Sequence, residues 1–317
     1  MRNRTFIFNF ASLILLTFYI TSCGKGSKGP TDDPTSGKIH ITVDESYQPL
    51  IEAEIVVFES LYKHAKIMVT YTNEAKAFED LIADSSRFIV ANRELNASEI
   101  SYFESIELTP RVTKIAYDGL AFIVNTENKL NKLLYSQVGD FFTGKIGTWN
   151  QIDPSFSKDS IRIIFDNPRS GNVRMISELF KIKGKLPANC FAVNSNPEVI
   201  DYVEKNKNSI GIISVNWISD AADSTAIAFL KKIKVLQIGN IDVTDTTGEF
   251  HGPFQGYIAA NMYPFKRTAY IISREARAGL GTGFASFIAG DKGQRIVLRS
   301  GMVPASVPVR IIEFSNQ

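Results

Sequence analysis

Cysteine and histidine are scarce in this chain. The two cysteines, Cys23 and Cys190, permit at most one disulfide, so stability must come from a hydrophobic core. The three histidines, His40, His64 and His251, lie far apart and match no zinc-ligand spacing. We therefore expect neither a metal nor another cofactor.

A net charge of either sign is also lacking. Lys and Arg number 35 against 33 Asp and Glu, and the small excess disappears without Arg2 and Arg4. A protein that binds nucleic acid needs a basic surface, so nucleic acid is not an expected partner. The 317 residues are 44% hydrophobic and 21% charged, which is enough to bury the core of one large domain or of two medium ones.

The amino terminus has the pattern of an export signal over residues 1–22. Arg2 and Arg4 precede the apolar run Phe6–Ile20, which is short for a membrane span of about 20 residues. The stretch Ile20–Cys23 resembles a bacterial lipobox, in which cleavage leaves the cysteine as a lipidated amino terminus. An uncleaved membrane anchor is the alternative.

Residues 23–37 predict a lipidated flexible tether, because Gly, Pro, Ser and charged residues cannot bury enough surface to offset the entropy of ordering. We expect an exported lipoprotein, anchored to the membrane and facing the periplasm or the cell surface. The folded part is expected to begin near Lys38.

Strand-like and helix-like segments alternate along the rest of the chain. The first half predicts strands at 38–43, 65–71 and 86–91, with helices at 50–62, 74–83 and 98–103 between and after them. Two further strands are predicted at 112–116 and 120–125, a helix at 135–142, a strand at 161–165 and a helix from Asn172. This alternation predicts an α/β fold with mostly parallel sheets flanked by helices.

Three strand-to-helix junctions have side chains suited to an anion. Ser46 follows the first strand, Asn92 and Arg93 follow the third, and the segment 167–172 contains Ser170 and Gly171 ahead of a helix. Free backbone N–H groups and the positive end of the helix dipole favour an anion at such places. For the segment at Ser170, a plain helix cap followed by surface arginines is the alternative.

Five short motifs follow one another in a recognisable order. The motifs are Phe141–Ile146 with Thr148–Ile152, Ser170–Asn172, Ser209–Ile213, Tyr263–Arg267, and Gly293–Val297 with Gly301–Pro304. Together they resemble the phosphate-binding proteins of bacterial phosphate ABC importers, a branch of the type II periplasmic solute-binding superfamily, over most of the mature chain.

The resemblance implies a two-lobe fold in which two crossover strands join the lobes and the ligand lies between them. Lobe 1 would comprise residues 38–117 and 223–317, and lobe 2 residues 118–222, with hinges near Tyr117–Gly119 and near Ser214. It also implies a small oxyanion held without metal. The implied ligand contacts are Ser46, Asn92, Arg93, Ser170, Gly171 and Asn172, with Arg169 or Arg174 as a further source of positive charge.

The sequence departs from the family pattern at several of these places. The family commonly has arginine four residues before the Ser of its Ser-Gly-Thr motif, where this chain has Asp166. The Thr of that motif is Asn172, the Ser before the arginine of the other loop is Asn92, and Glu74 lies where a hydroxyl-rich helix start is usual. Because a carboxylate repels a dianion unless it is protonated or paired, another oxyanion or an organic ligand stays open.

The function expected from these features is binding rather than catalysis. We expect a monomeric lipoprotein that binds phosphate or a related oxyanion and delivers it to an ABC permease. The alternative is a sensor or surface-interaction lipoprotein that keeps the fold but binds a different ligand or none. An enzyme is not expected, because the chain has no nucleophile elbow and no histidine clustered with a nucleophile.

Overall fold

The computed structural model describes residues 32–239 and 249–307. Its strands are β1 (Gly37–Asp44), β2 (Ala65–Thr72), β3 (Phe88–Ala91), β4 (Arg111–Asn125), β5 (Lys132–Leu134), β6 (Arg162–Phe165), β7 (Cys190–Ala192), β8 (Ser209–Ser214), β9 (Ile233–Val235), β10 (Gln237–Gly239), β11 (Phe250–His251), β12 (Lys266–Ser273) and β13 (Val303–Pro304). Its α-helices are α1 (Gln48–Leu61), α2 (Glu74–Ile82), α3 (Ala97–Ser105), α4 (Tyr135–Thr143), α5 (Gly171–Leu179), α6 (Asn196–Lys205), α7 (Ser224–Lys232), α8 (Gln255–Ala259), α9 (Leu280–Ala289) and α10 (Asp291–Arg299).

Strand β4 belongs to two sets of strands, one at each of its ends. The main sheet has the order β2-β1-β3-β12-β4-β8-β6-β7, and β13 and β9 also pair with β4. We call β1, β2, β3, β12 and the amino-terminal part of β4 the β1 half of the sheet. The β8 half consists of β6, β7, β8, β9 and the carboxyl-terminal part of β4.

The directions of the strands bring their carboxyl ends together near the middle of β4. Strands β1, β2 and β3 are mutually parallel, and β12 lies antiparallel between β3 and β4. Strands β6, β7 and β8 are also mutually parallel, but β8 runs antiparallel to β4. The β1 set therefore runs toward the middle of β4 from one side and the β8 set from the other, so the loops after both sets face one another.

Each half of the sheet has its own hydrophobic core. Every residue of β4 from Gly119 to Asn125 is buried, as a strand covered on both faces requires. Phe122, Phe165 and Ile212 are among the buried residues of the β8 half. Val43 and Phe284 are among those of the β1 half. The two cores fix the strand ends between which the candidate site lies.

The predicted fold class and the predicted elements are confirmed. The predicted strands and helices recur within a few residues of the expected bounds, including α4, which ends at Gly144 with a φ of 78°. One difference is that the two strands predicted at 112–116 and 120–125 are the single strand β4. It continues through Asp118 and Gly119 because β12 pairs along this whole stretch.

The predicted boundaries of the lobes stay a prediction. The observed packing places Ile233, Leu236 and Tyr263 in the core of the β8 half, and β9 pairs with the carboxyl-terminal part of β4. The chain thus returns to the β1 half with β12, which is later than the predicted return at residue 223. The predicted hinge at Tyr117–Gly119 lies inside β4, and the one near Ser214 lies at the end of β8.

The described end of the predicted tether is docked on the folded part. Asp32 accepts a hydrogen bond from the backbone N–H of Leu280 at 2.8 Å and forms an ion pair with Arg277. Helix α9 begins after Gly279, which has no side chain to cap it, so the Asp32 carboxylate supplies the cap. A Cβ at Gly283 would overlap the backbone of Pro34. The signal peptide and Cys23 lie outside the described residues.

Among residues 32–239 and 249–307, no helix is long and apolar enough to cross a membrane. These residues also contain no group of three or more His, Cys, Asp or Glu side chains placed to hold a metal ion.

The Glu54 carboxyl group on α1 is buried without a hydrogen-bond partner among the described residues. It is fully hidden from solvent, and neither carboxyl oxygen has a hydrogen-bond partner among the described residues. Burial raises the pKa of Glu54 to about 9 from its ordinary 4.5. Below pH 4.5 Glu54 is protonated in both the folded and the unfolded state, and the folding stability is not reduced by its ionisation. As the pH rises from 4.5 toward 9, the unfolded chain loses this proton while the folded protein keeps it, so the free energy of unfolding falls.

We expect Glu54→Gln to stabilise the protein increasingly as the pH rises from about 5 to about 8, by several degrees of melting temperature at the upper end. Glutamine keeps the shape of the protonated acid and removes the cost of ionisation. Thermal unfolding of both proteins at a series of pH values measures the effect. Glu52→Gln, at an exposed position on the same helix, is the control and should leave the dependence of melting temperature on pH unchanged. If Glu54→Gln and the unsubstituted protein show the same dependence on pH, the account is contradicted.

Candidate functional site

A buried arginine lies where the two halves of the sheet meet. Arg267 on β12 is paired in register with Asp118 on β4. Its Nε and Nη2 donate to Asp118 Oδ2 at 2.9 and 2.6 Å, and its Nη1 donates to Asn172 Oδ1 at 2.5 Å. Arg267 is 6% exposed and Asp118 is fully buried. A guanidinium stays charged in proteins, so this position holds a permanent positive charge inside the molecule.

The start of α5 faces this arginine from the β8 half. Ser170 caps the helix: its Oγ accepts from the backbone N–H of Val173 at 3.4 Å and donates to Asp166 Oδ1 at 2.7 Å. A Cβ at Gly171 would overlap the Asn92 side chain from the β1 half. A larger residue here would displace the Asn92 side chain, because the backbone of one half lies directly against a side chain of the other.

The loop after β1 brings two hydroxyl groups to the same region. Asp44 Oδ1 accepts from the backbone N–H of Ser46 at 3.0 Å and so shapes the short 3-10 turn Glu45–Tyr47. Ser46 and Tyr47 are both fully buried. The Tyr47 ring lies 5.4 Å from the Arg267 guanidinium carbon, which connects this loop with the arginine.

We call these buried residues the central cluster. Several of its polar atoms have no hydrogen-bond partner among the described residues, although almost all buried polar atoms in proteins have one. The central cluster consists of Asp44, Ser46, Tyr47, Asn92, Asp118, Asp166, Ser170, Asn172 and Arg267. Its unpartnered atoms are Asp44 Oδ2, Ser46 Oγ, Tyr47 OH, Asn92 Nδ2, Asp118 Oδ1 and Asn172 Nδ2.

Most of these unpartnered atoms can donate a hydrogen bond. Two are hydroxyls, on Ser46 and Tyr47, and two are amide NH2 groups, on Asn92 and Asn172. Beside a permanently charged guanidinium, four such donors match a small ligand with several acceptor oxygens. The central cluster is thus chemically suited to an oxyanion.

Four of the predicted ligand contacts lie in the central cluster, and Gly171 lies directly beside it. Arg93 and Arg169 are not brought there, because carboxylates engage them elsewhere. Arg93 makes two hydrogen bonds to Glu99, at 2.7 and 2.8 Å, and stacks over Phe78. Arg169 is half exposed and forms an ion pair with Glu79. The ligand roles assigned to these two arginines stay a prediction.

Polar contacts join the two halves around the central cluster. Arg174 of α5 forms an ion pair with Glu74 of α2 at 2.6 Å and also donates to Asn92. Glu45 accepts from the backbone N–H of Asn196 at the start of α6, at 3.3 Å. Glu74 is therefore neutralised by an arginine rather than aimed, unpaired, at a ligand.

Two carboxyl groups of the central cluster have unusual acidity. Burial, reinforced by Glu74, raises the pKa of Asp44 to about 7. Burial also raises the pKa of Asp166 to about 6, against the lowering effect of the Ser170 hydroxyl. Both groups are therefore partly protonated near neutral pH.

Sequence reasoning missed Arg267, Tyr47 and Asp118 as site residues. Arg267 was recognised only as the last residue of a motif, and Asp118 only as part of a hinge. A signal for Arg267 does exist in the sequence: in β12 the buried positions alternate, so Arg267 lies on the same face as Ala269 and Ile271. An arginine on the buried face of a strand needs a partner, and the sequence does not say which one.

A family model described as "PBP superfamily domain" matches residues 28–292. The chain belongs to the PBP superfamily. The resemblance inferred from the five motifs is thereby confirmed for the superfamily.

Curated relatives from staphylococci carry the name phosphate-binding protein PstS. The protein of that name from Staphylococcus saprophyticus is 25% identical over 280 residues, covering 86% of this chain and 82% of its own length. The one from Staphylococcus aureus is 23% identical over 282 residues, covering 88% and 82%. These names describe binding proteins, in agreement with the prediction that this chain is not an enzyme.

Solved structures confirm the two-lobe α/β fold of the superfamily. A Clostridium perfringens protein with bound phosphate, assigned to a phosphate ABC transporter as its substrate-binding protein, superposes with a TM-score of 0.71 at 20% identity. That match covers 85% of this chain and all of the other. An ABC-type phosphate transport receptor from Vibrio cholerae matches with a TM-score of 0.63 at 18% identity, covering 84% of this chain and 100% of its own.

We expect Arg267→Gln to destabilise the protein by about 3 kcal/mol or more, because it leaves the Asp118 carboxylate buried without its charge partner. The double variant Arg267→Gln with Asp118→Asn should recover much of that loss, since no unpaired charge is left. Urea unfolding of the two single variants and the double variant measures the coupling between the residues. Losses that simply add in the double variant would contradict the proposed ion pair.

Proposed function

We propose that this chain is an extracytoplasmic lipoprotein that binds a small oxyanion in a cleft between its two lobes and delivers it to an ABC permease. Inorganic phosphate is the expected ligand. The observation that carries the proposal is the central cluster, in which unpartnered hydroxyl and amide donors surround the buried guanidinium of Arg267.

The chemistry of the cluster favours an oxyanion over other small ligands. A tetrahedral oxyanion presents four oxygen atoms, and each can accept from more than one donor. The proposed donors are the hydroxyls of Ser46 and Tyr47, the amides of Asn92 and Asn172, and the start of α5 at Gly171. Asp118 holds Arg267 in place and compensates part of its charge, as a buried arginine requires.

The ligand and the transport partner in this proposal are taken from the names of the relatives. The staphylococcal relatives are named for phosphate binding, and the structural neighbours are named for phosphate ABC transport. Sequence identity near 20% does not by itself show that two proteins bind the same ligand. The proposal of phosphate therefore combines these names with the donors of the central cluster.

Closure of the cleft would rely on the contacts between the halves. The ion pair of Glu74 with Arg174 and the hydrogen bonds from Asn196 to Glu45 join segments of the two halves that lie outside the sheet. Such contacts can break and reform as two lobes move about strand hinges. In this proposal they close the cleft over the anion.

Export and lipidation rest on the sequence alone. The apolar run Phe6–Ile20 and the lipobox-like Ile20–Cys23 support a lipid anchor on Cys23. The folded part begins within about 15 residues of Cys23, so the lipid would hold the cleft close to a permease in the same membrane.

A sensor or surface-interaction lipoprotein is the second candidate. Asp166 favours it, because an acid lies in the central cluster where the related phosphate importers commonly have arginine. In that case the fold would be kept and the ligand would be different or absent. Ligand titration distinguishes the two candidates.

We expect phosphate to bind the full chain in detergent, and Ser46→Ala to weaken binding by about tenfold, since a hydrogen bond to a charged group contributes roughly 1.5 kcal/mol or more. The melting temperature of the ligand-free variant should be unchanged or higher, because the Ser46 hydroxyl has no partner among the described protein atoms. Calorimetric titration and thermal unfolding measure the two effects.

Ser60→Ala is the control for this experiment. Ser60 lies on the exposed end of α1, and its hydroxyl bonds only to a backbone carbonyl one turn earlier. Its substitution should leave phosphate binding unchanged. Absence of a binding signal for phosphate with the unsubstituted chain would contradict the proposed function and favour the second candidate.

Replacing Cys23 with Ala should move the protein from the detergent phase to the aqueous phase in a detergent partition experiment, because the acyl chains that anchor it cannot be attached. Metabolic labelling with a radioactive fatty acid, followed by gel electrophoresis, gives the direct readout. Cys190→Ala is the matched control and should keep the label. Labelling of the Cys23→Ala variant would exclude the predicted lipidation site.

A further inference from the structure

The central cluster contains more carboxyl groups than its arginine can neutralise. Asp44, Asp118 and Asp166 are each at most 3% exposed. Among the described residues, Arg267 forms an ion pair with Asp118 but not with Asp44 or Asp166. Asp118 takes two of the hydrogen bonds that Arg267 donates. Within the described ranges, neither Asp44 nor Asp166 lies within ion-pair distance of a lysine or arginine, so each would be a poorly compensated buried charge if ionised.

The surroundings of Asp44 reinforce this. Its Oδ1 accepts from the backbone N–H of Ser46, whereas its Oδ2 is buried and has no partner in the described part of the chain. The charged and titratable groups that act on it from neighbouring elements are Glu74, Glu45, Asp166, Tyr47 and Arg267. The acids among them oppose ionisation of Asp44 and Arg267 favours it, as does the hydrogen bond from the backbone N–H of Ser46.

Asp166 has similar surroundings on the β8 half. Ser170 donates to its Oδ1 at 2.7 Å, and the Asn172 side chain also favours its ionised form. The charged and titratable groups acting on it from other elements are Arg267, Asp44 and Glu45. Burial is the main reason that the pKa of Asp166 is about 6 and that of Asp44 about 7. An incoming anion adds negative charge beside both carboxyls and favours their protonated forms further.

Glu74 is not a third member of this pair. Its carboxylate forms an ion pair with Arg174 at 2.6 Å and lies 3.8 Å from the guanidinium of Arg93. Within the central cluster, the acids without a cationic partner are therefore Asp44 and Asp166. Glu45, outside the cluster, is hydrogen-bonded by Asn196.

We propose that the cleft takes up a proton together with its anion, and that Asp44 and Asp166 meet the anion as neutral carboxyls able to donate an O–H. The proton comes from solvent and is bound by a carboxylate oxygen; no other bond changes. This inference rests on the proposed function and deepens it in two ways. It makes anion affinity fall as the pH rises, and it admits oxyanions that carry no proton of their own.

The second consequence defines a class of ligand. A site whose acids are ionised acceptors needs a ligand with an O–H group, which monohydrogen phosphate has and sulfate does not. A site whose acids are donors does not need that group. The inferred ligand class is therefore tetrahedral oxyanions, both protonated and fully ionised, with sulfate bound in the acidic range.

Sulfate is the probe for the test because it does not titrate near neutral pH, so any proton taken up belongs to the protein. Sulfate is titrated calorimetrically into the full chain in detergent, at each pH in two buffers with different ionisation enthalpies. We expect the heats to differ between the buffers, and the association constant to fall by up to about tenfold per pH unit between about pH 6 and about pH 8 for each proton taken up. Phosphate is titrated in parallel.

Variants locate the proton. Asp44→Asn and Asp166→Asn each replace a titrating acid by an amide that donates without taking up a proton, so each should reduce the slope of the pH profile of sulfate binding. The double variant with both substitutions should flatten the profile. Asp153→Asn, an exposed position in the same half as Asp166, is the matched control and should keep the steep profile. Circular dichroism verifies that each variant is folded, and the buffer comparison on the unsubstituted chain needs no variant at all.

The outcomes separate the two proposals. If phosphate binds but sulfate does not bind at any pH, the proton uptake is overturned and the proposed function stays intact. The same holds if sulfate binds with equal heats in both buffers. Absence of binding by either anion would instead overturn the proposed function itself. Buffer-dependent sulfate heats that persist undiminished in the double variant would place the proton elsewhere and also overturn the inference.

Discussion

The ion pair between Arg267 and Asp118 is the interaction on which the rest of the site depends. It joins β12 to the middle of β4, at the point where the strand passes from one half of the sheet to the other. A buried guanidinium without a carboxylate would be too costly, and a buried carboxylate without a guanidinium would repel an anion. Because the pair forms inside two adjacent strands, the positive charge has a fixed position before any ligand arrives.

The strand directions then determine which loops surround this charge. Both parallel sets end at the middle of β4, so Ser46 and Asn92 approach from one side and Ser170 and Asn172 from the other. The β1 half supplies Arg267 and the donors of Ser46, Tyr47 and Asn92, and the β8 half supplies Asn172 and the start of α5. Contacts such as Glu74 with Arg174 hold the two sets of loops against each other. The fold therefore explains why residues distant in sequence form a single cluster.

The sequence predicted the fold well because its signals are local. Alternation of apolar residues indicated β1 to β3 and their helices, and Ser170 before an amphipathic segment indicated the cap of α5. The site was predicted only in part, because charge partners depend on tertiary contacts. Arg93 and Arg169 looked like ligand residues in sequence, but Glu99 and Glu79 engage them in the structure. The pairing of Arg267 with Asp118 across adjacent strands has no local signal.

A crystal structure with arsenate tests the central claim most directly, because arsenic gives an anomalous signal that locates the tetrahedral anion without prior assumptions. The account predicts one strong anomalous peak within hydrogen-bonding distance of the Arg267 guanidinium, the Ser46 hydroxyl and the Asn172 amide. A peak at a surface site, with the central cluster unchanged and Ser46 still without a partner, would contradict it.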